Sequence, residues 1–425
     1  MTCRRILTQD KEMSLIKRNL ENTINRLLKT FPAVLILGVR QCGKSTLARM
    51  VRPDWKYFDL ENSRDFDYIS ADPDFFLREN PAGIILDEAQ ELPGVFKNLR
   101  GIIDKQRSTN NRFILTGSSS PELLKFAGDS LAGRIAVIEL GTFKMNELNN
   151  VQLPGFYRLF EDTLSEKSIG FLKSLETVAV RTDAIDYFLE GGYPDPVLSK
   201  DRQYFADWMD NYFRTFINSD IRKLFPRLDS LKYRRFVNML SGLSGTIINK
   251  AQLGRSLDIN EVTVRDYLEI ADNTFIWRII PSYEKTKIKS VVKMPKGIMR
   301  DSGLLHYLSF IDSREKLLRS PAFGQNFESF IIEEILKGLE ASPVPRPAYY
   351  YYRTKNGIEV DLILEGHFGV LPVEIKAGSS ASIKDLRSLV HFVEDQNLPL
   401  GIVINNDTEI KALNDKIIQV PAGCI

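Results

Sequence analysis

The sequence predicts an α/β protein whose first part is a parallel sheet covered by helices on both faces. Three observations carry the prediction. Short apolar runs, AVLILG (33–38), YFDL (57–60), GIILDE (83–88), RFILTG (112–117) and RIAVIEL (134–140), recur with helical or loop segments between them, the alternation that buries a parallel sheet. The first run opens directly into GVRQCGKS. Near the other end of the chain, IEVDLILEGHFGVLPVEIKAG alternates apolar and acidic residues through a hairpin.

Along the chain, apolar residues from about Ile16 to Leu28 recur at helical spacing and feed the first strand. Turn residues at NNVQLPG close a first domain, 1–148. A mostly helical stretch follows, ending in NKAQLGRSLDI, EVTVRDYLEIADNTF and the strand-like WRIIPSY, a helix-turn-helix with a wing; this region is taken as 149–310. The tail, 311–425, begins with the helix QNFESFIIEEILKGLEA and continues in β-hairpins.

Composition sets limits on function. The 425 residues, 43% hydrophobic, suffice for two or three domains. Basic and acidic residues number 57 and 55, so nucleic-acid binding has to come from local patches and not from overall charge. Cys3, Cys42 and Cys424 are scattered and odd in number, which fits reduced thiols and gives neither a disulfide framework nor zinc-ligand spacing. No segment approaches the roughly 20 apolar residues that span a bilayer, and the start lacks a secretory core. The expected location is the cytoplasm, with no membrane among the partners.

GVRQCGKS fits the phosphate-binding pattern G-x-x-x-x-G-K-[ST] in the required strand-loop-helix context. Gly38 and Gly43 let backbone N–H groups approach phosphate, Lys44 reaches the β and γ oxygens, and Ser45, followed by Thr46, offers a hydroxyl to Mg²⁺. In GIILDEAQ the strand ends in Asp87, placed to hold the metal, and Glu88, placed to activate the attacking water. ATP and Mg²⁺ are therefore the expected cofactors. Thr116, at the end of RFILTG, is a candidate sensor of the γ-phosphate, with capping by it and by Ser118 to Ser120 as the alternative. Arg134 in SLAGR is a candidate transition-state arginine, acting in cis or from a neighbouring subunit of an oligomer, with a salt-bridged surface role as the alternative.

GVRQCGKSTL, IILDEAQELP, FILTGSSS, LAGR, FLEGGYPDP and YFRTFINSDIRKL together resemble a prokaryotic group of AAA+-superfamily ATPases with a C-terminal domain of unknown function. The resemblance runs from about residue 16 to 405. It implies a P-loop sheet with an additional strand, a helical and winged-helix middle, and a tail related to restriction-endonuclease-like folds.

In the tail, Glu328 shares a helical face with Ile332, Ile335 and Leu339. If Gly366 to Gly369 form the hairpin loop, Asp361 stands opposite Glu374 and Glu359 opposite Lys376. Facing carboxylates repel unless a cation lies between them, which makes Asp361, Glu374 and Glu328 candidate ligands of Mg²⁺ or Mn²⁺. The spacing D-x₁₂-E-x-K resembles the PD-(D/E)xK nuclease motif, in which Lys376 would orient the attacking water; the leading proline is absent. The alternative is a tail of the same fold that binds protein or nucleic acid without cutting. The presumed recognition helix has only Arg265 against Glu261, Asp266 and Glu269, whereas Lys285, Lys287, Lys289, Lys293 and Lys296 form a basic ribbon suited to phosphate. DNA, or RNA, is the expected macromolecular partner.

Overall fold

The computed structural model describes residues 15–118, 121–175, 184–284 and 292–425. Cys3, Ser119, Ser120, Lys285, Lys287 and Lys289 lie outside these residues. AVLILG forms strand β1 (Ala33–Gly38), buried at all six positions, as a strand covered on both faces must be. It pairs in parallel with β4 (Phe113–Ser118) and β5 (Ile135–Leu140), and β2 (Lys56–Asp59) and β3 (Ile84–Asp87) complete the sheet in the order β2-β3-β4-β1-β5. β4 is thus inserted between the P-loop strand and the strand ending in Asp87. Alternate side chains serve opposite cores: Val34, Ile36, Ile114 and Ile138 pack with Ile24 and the middle helices, while Leu35, Leu37, Leu86 and Leu115 pack with Phe96 and Leu99. The helix expected from Ile16 begins at Leu20 and runs to Thr30. The residues before it are drawn into other bonds: Glu147 accepts from the Arg18 Nε at 3.0 Å and from the Asn19 backbone N–H at 2.6 Å.

In the middle, β6 (Thr246–Ile247), β7 (Trp277–Ile280) and β8 (Lys296–Met299) make a small antiparallel sheet, ordered β6-β8-β7. The helices Lys250–Leu257 and Glu261–Asn273 lie between β6 and β7 in sequence. In the tail, β9 (Ala348–Arg353), β10 (Glu359–Gly366), β11 (Gly369–Lys376), β12 (Gly401–Asn405), β13 (Lys411–Ala412) and β14 (Ile417–Pro421) form one mixed sheet, ordered β13-β14-β12-β11-β10-β9. The helix Phe323–Ala341 covers one face and Arg387–Asp395 the other.

Two adjacent acids in that long helix join the parts. Glu333, 3% exposed, accepts from Arg278 at 2.7 and 3.0 Å and from Arg300 at 2.9 Å, and both guanidiniums also reach Glu139 on β5. Glu334, 2% exposed, accepts from the Met145 backbone N–H, Tyr187 and Lys337, and Lys144 stands 3.5 Å away. First sheet, middle sheet and tail helix are therefore tied by largely buried charges, of which Glu139 is the most exposed. No helix among the described residues is long and apolar enough to cross a membrane.

Candidate nucleotide site

The loop between β1 and the helix Lys44–Val51 turns on Gln41 (φ 67°) and Gly43 (φ 94°), both left-handed, so glycine at 43 avoids a strain that other residues carry. At Gly38 a Cβ would stand 2.2 Å from the Leu140 carbonyl oxygen; only glycine lets β5 close on the loop. Lys44 is 4% exposed and its ammonium donates to the Gly38 and Val39 carbonyls at 3.2 Å each, folded over the space the loop encloses. Arg18 donates to the Cys42 carbonyl at 2.8 Å and to the Gly141 carbonyl at 2.8 Å, fastening the loop to the end of β5.

A cavity of about 430 Å³ opens over this loop. Gly43, Lys44, Ser45, Thr46, Asp87 and Glu88 line it, together with the apolar side chains of Ile16, Met50, Phe143, Pro194 and Leu198. Asp87 is 4% exposed and accepts from both the Thr116 and Tyr57 hydroxyls. Glu88 is held left-handed at φ 51°, a conformation that costs a non-glycine residue about 1 kcal/mol or more. Its carboxylate accepts from Gln90 at 2.5 Å and from the Ser118 backbone N–H at 3.0 Å. Burial pushes its pKa up, but Lys44 and these hydrogen bonds outweigh burial and hold it below the ordinary value, so it stays a carboxylate.

Thr116 is fully buried behind Asp87, to which its hydroxyl donates, and lies within 3.3 Å of the Glu88 backbone nitrogen. Arg134 is not. It directly precedes β5, whose first residue pairs beside Ala33 at the entry of β1, while the P-loop leaves the exit of β1. At about 3.3 Å per residue the six-residue strand separates them by about 20 Å. Arg134 instead forms a two-pronged pair with Asp104 at 2.7 and 3.0 Å, so it cannot serve the nucleotide of its own chain. Among the described residues, the cation that does line the cavity, besides Lys44 and Arg18, is Arg40. It pairs with Asp220 and lies 3.8 Å from Glu61. Sequence analysis assigned no role to Arg40, Asp220, Tyr57 or Pro194 and Leu198. Pro194 lies in the quoted FLEGGYPDP, with Leu198 two residues beyond that motif, and Asp220 lies in YFRTFINSDIRKL; an unexplained polar or proline residue in each motif was the available signal. The turn bearing Pro194 is fixed by Asp301, which accepts from the Gly192 backbone N–H at 2.9 Å.

The tail hairpin turns at Gly366–Gly369, and its register, Leu362 beside Val373, brings Asp361 level with Glu374 one step further on. The ion pairs are not those of the facing residues: Lys376 donates to Glu374 at 2.7 Å, and Glu359 is held by Arg353 at 3.3 Å and Lys296 at 3.6 Å. Glu328 pairs with Lys296, and Asp361 accepts from the Ile375 backbone N–H at 2.7 Å. Lys296, expected on the basic ribbon, is 2% exposed in β8, while Lys293 pairs with Glu284 at 3.5 Å and Arg265 with Asp266 at 3.2 Å. Burial and neighbouring Asp361 push Glu328 and Glu374 up to about 8. Among the described residues no group of three or more His, Cys, Asp or Glu side chains is placed to hold a metal ion. Asp361, Glu374 and Glu328 therefore do not fit a resident divalent ion in this arrangement, because a lysine has taken up the third.

A parallel sheet ordered in this way, a P-loop and an acid pair at the end of β3 define an AAA-type ATPase domain, a class built to bind ATP. A family model described as an AAA domain matches residues 30–149, and two domains of unknown function match 181–315 and 323–425. Uncharacterized proteins Mb2031c of Mycobacterium bovis and Rv2008c of Mycobacterium tuberculosis are each 31% identical over 417 residues, covering 97% of this chain and 85% of the relative. The chain belongs to the family of these proteins. Among solved structures, the Walker-type ATPase PABY2304 of Pyrococcus abyssi is 15% identical, with 72% of this chain and 99% of that one covered and a TM-score of 0.41. RuvB of Thermotoga maritima is 17% identical, with 60% and 88% covered and a TM-score of 0.28.

Proposed function

We propose that this chain hydrolyses ATP and that the nucleotide switches how its middle region is held against the ATPase domain. The observation that carries the proposal is the pair between Arg40, inside the P-loop, and Asp220, in the helical middle. A γ-phosphate beside Lys44 presents a stronger anion to Arg40 than Asp220 does, so its arrival draws Arg40 inward and frees the Phe216–Leu224 segment. Ligand binding can shift such an equilibrium only through a difference in contacts, and the Arg40 exchange supplies one.

Within the cavity, Lys44 contacts the β and γ oxygens and the P-loop N–H groups hold the phosphates. Ser45 and Asp87, with Tyr57 and Thr116 close by, give the oxygen donors that suit Mg²⁺, which when bound neutralises phosphate charge. Glu88, an aimed and ionised carboxylate, accepts the proton of the attacking water, and Thr116 connects that acid to the metal-holding Asp87. The base lies between Ile16, Met50, Pro194 and Leu198. Arg134 acts on a nucleotide only from a neighbouring subunit of an oligomer.

The middle and tail take a winged-helix and nuclease-like form, with DNA ahead of RNA as the partner; the family resemblance and the lysines at 285–293 support this. Of the two roles open to the tail, binding without cleavage is favoured by the attachment of Glu328 to Lys296. A cytoplasmic location follows from the same reading. An ATPase assay with and without DNA tests the proposal: wild-type turnover is expected to be abolished in Lys44→Ala and raised by DNA. Unchanged turnover in Lys44→Ala would remove the claim of hydrolysis at this site.

A further inference from the structure

The acidic centre of the tail is built from residues of two regions. Glu328 comes from the long tail helix, Glu359 and Asp361 from β10, and Glu374 from β11. The cation among them, Lys296, comes from β8 of the middle sheet. Its ammonium pairs with Glu328 and stands 3.6 Å from Glu359, and the side chain is only 2% exposed. A lysine so deeply buried is tolerated only when its charge is answered by more than one acid, and here two carboxylates answer it directly.

We propose that Lys296 is the resident cation of this centre and takes the place of a divalent metal ion. Geometry shows why the two compete. The Lys296 ammonium holds Glu328 in an ion pair and stands beside Glu359, so Glu328 is not available to a metal ion. With a neutral side chain at 296, Glu328 becomes free to join Asp361 and Glu374 as a third oxygen donor. The second oxygen of Glu374 is buried with no hydrogen-bond partner, so one donor already points into the centre without a role. Two carboxylates alone leave most of the six oxygen positions around Mg²⁺ or Mn²⁺ to water. The centre is then an ionic junction between the middle sheet and the tail, and metal-dependent cleavage is absent because the cation position is filled.

The inference rests on the tail as a module that binds without cutting, and Mn²⁺ titration of the nucleotide-free full-length protein, followed by electron paramagnetic resonance, tests it. Wild-type protein is expected to bind no stoichiometric Mn²⁺. Lys296→Met is expected to bind one equivalent, at least about tenfold more tightly than wild type, and Lys296→Met combined with Asp361→Asn to lose it again. Lys296→Gln provides the same test with less change in polarity if the methionine variant does not fold. One equivalent of Mn²⁺ on wild type that disappears in Asp361→Asn would overturn the inference, as would the absence of any gain in both Lys296 variants. DNA binding by wild type in EDTA is measured separately: its absence sinks the choice of partner, whereas the Mn²⁺ results decide the role of Lys296.

Discussion

Glu333→Ala is expected to remove the fastening between the tail helix and the two other regions. The wild-type carboxylate accepts three hydrogen bonds from Arg278 and Arg300, both of which are buried. Without it Glu139 alone answers two guanidiniums, and stripping one partner from a buried ionic group costs about 3–5 kcal/mol. At about 2–4 °C per kcal/mol for domains of this order of size, the melting temperature falls by on the order of 10 °C. Thermal unfolding followed by intrinsic fluorescence at neutral pH reads the difference. Acid adds a second check. Burial pushes Glu139 and Glu333 up, but Arg300 and Arg278 more than reverse it, holding Glu333 below its ordinary value of 4.5 and Glu139 down at about 2. A carboxylate depressed in the folded state contributes stability above its unfolded value and loses it as the pH falls through its folded value. The gap between wild type and variant should therefore be full above about pH 4.5 and shrink as the pH falls below it through the depressed value of Glu333. A gap under about 0.5 kcal/mol at neutral pH, the size of an ordinary surface substitution, would refute the reasoning.

Glu88→Gln should lower ATP turnover about 100- to 10,000-fold while leaving binding of a fluorescent ATP analogue intact; parallel losses of both would place Glu88 in binding and not in proton transfer. Asp220→Asn should tighten ATP binding by about two- to fivefold, because Arg40 no longer has a competing partner in a half-exposed pair worth up to about 1 kcal/mol, and equilibrium titration checks it. Gly338→Ala puts a methyl 1.9 Å from the Tyr157 ring, so the denaturation midpoint should fall by the equivalent of about 1–3 kcal/mol; an unchanged midpoint would mean that the helix and ring separate freely.

The nucleotide site was legible because its chemistry is local. A buried strand, a glycine loop and a helix start lie within about twenty residues of sequence, and Asp87 and Glu88 end a second strand of the same kind. The sheet order was reached only through resemblance, since five apolar runs do not state which neighbours pair. Arg134 shows the limit of adjacency: it follows the strand bearing Thr116 in sequence, yet it stands at the entry of the next parallel strand, the opposite end of the sheet. Lys296 shows another. KMPK reads as one more solvated lysine, and only its pairing with Glu328 and Glu359, 32 and 63 residues further on, reveals a buried charge. Glu333 and Glu334 do carry a signal in sequence, because adjacent acids inside the apolar run FIIEEIL have to be answered by buried cations. Their partners, Arg278, Arg300 and Lys144, were beyond the reach of any periodicity.

Hydrogen exchange across Phe216–Leu224, with and without a non-hydrolysable ATP analogue, tests the coupling most directly. Exchange in that segment should quicken when the analogue binds wild-type protein and stay unchanged in Arg40→Ala with the analogue bound. Equal exchange in free and bound wild-type protein would contradict a switch that runs through Arg40 and Asp220.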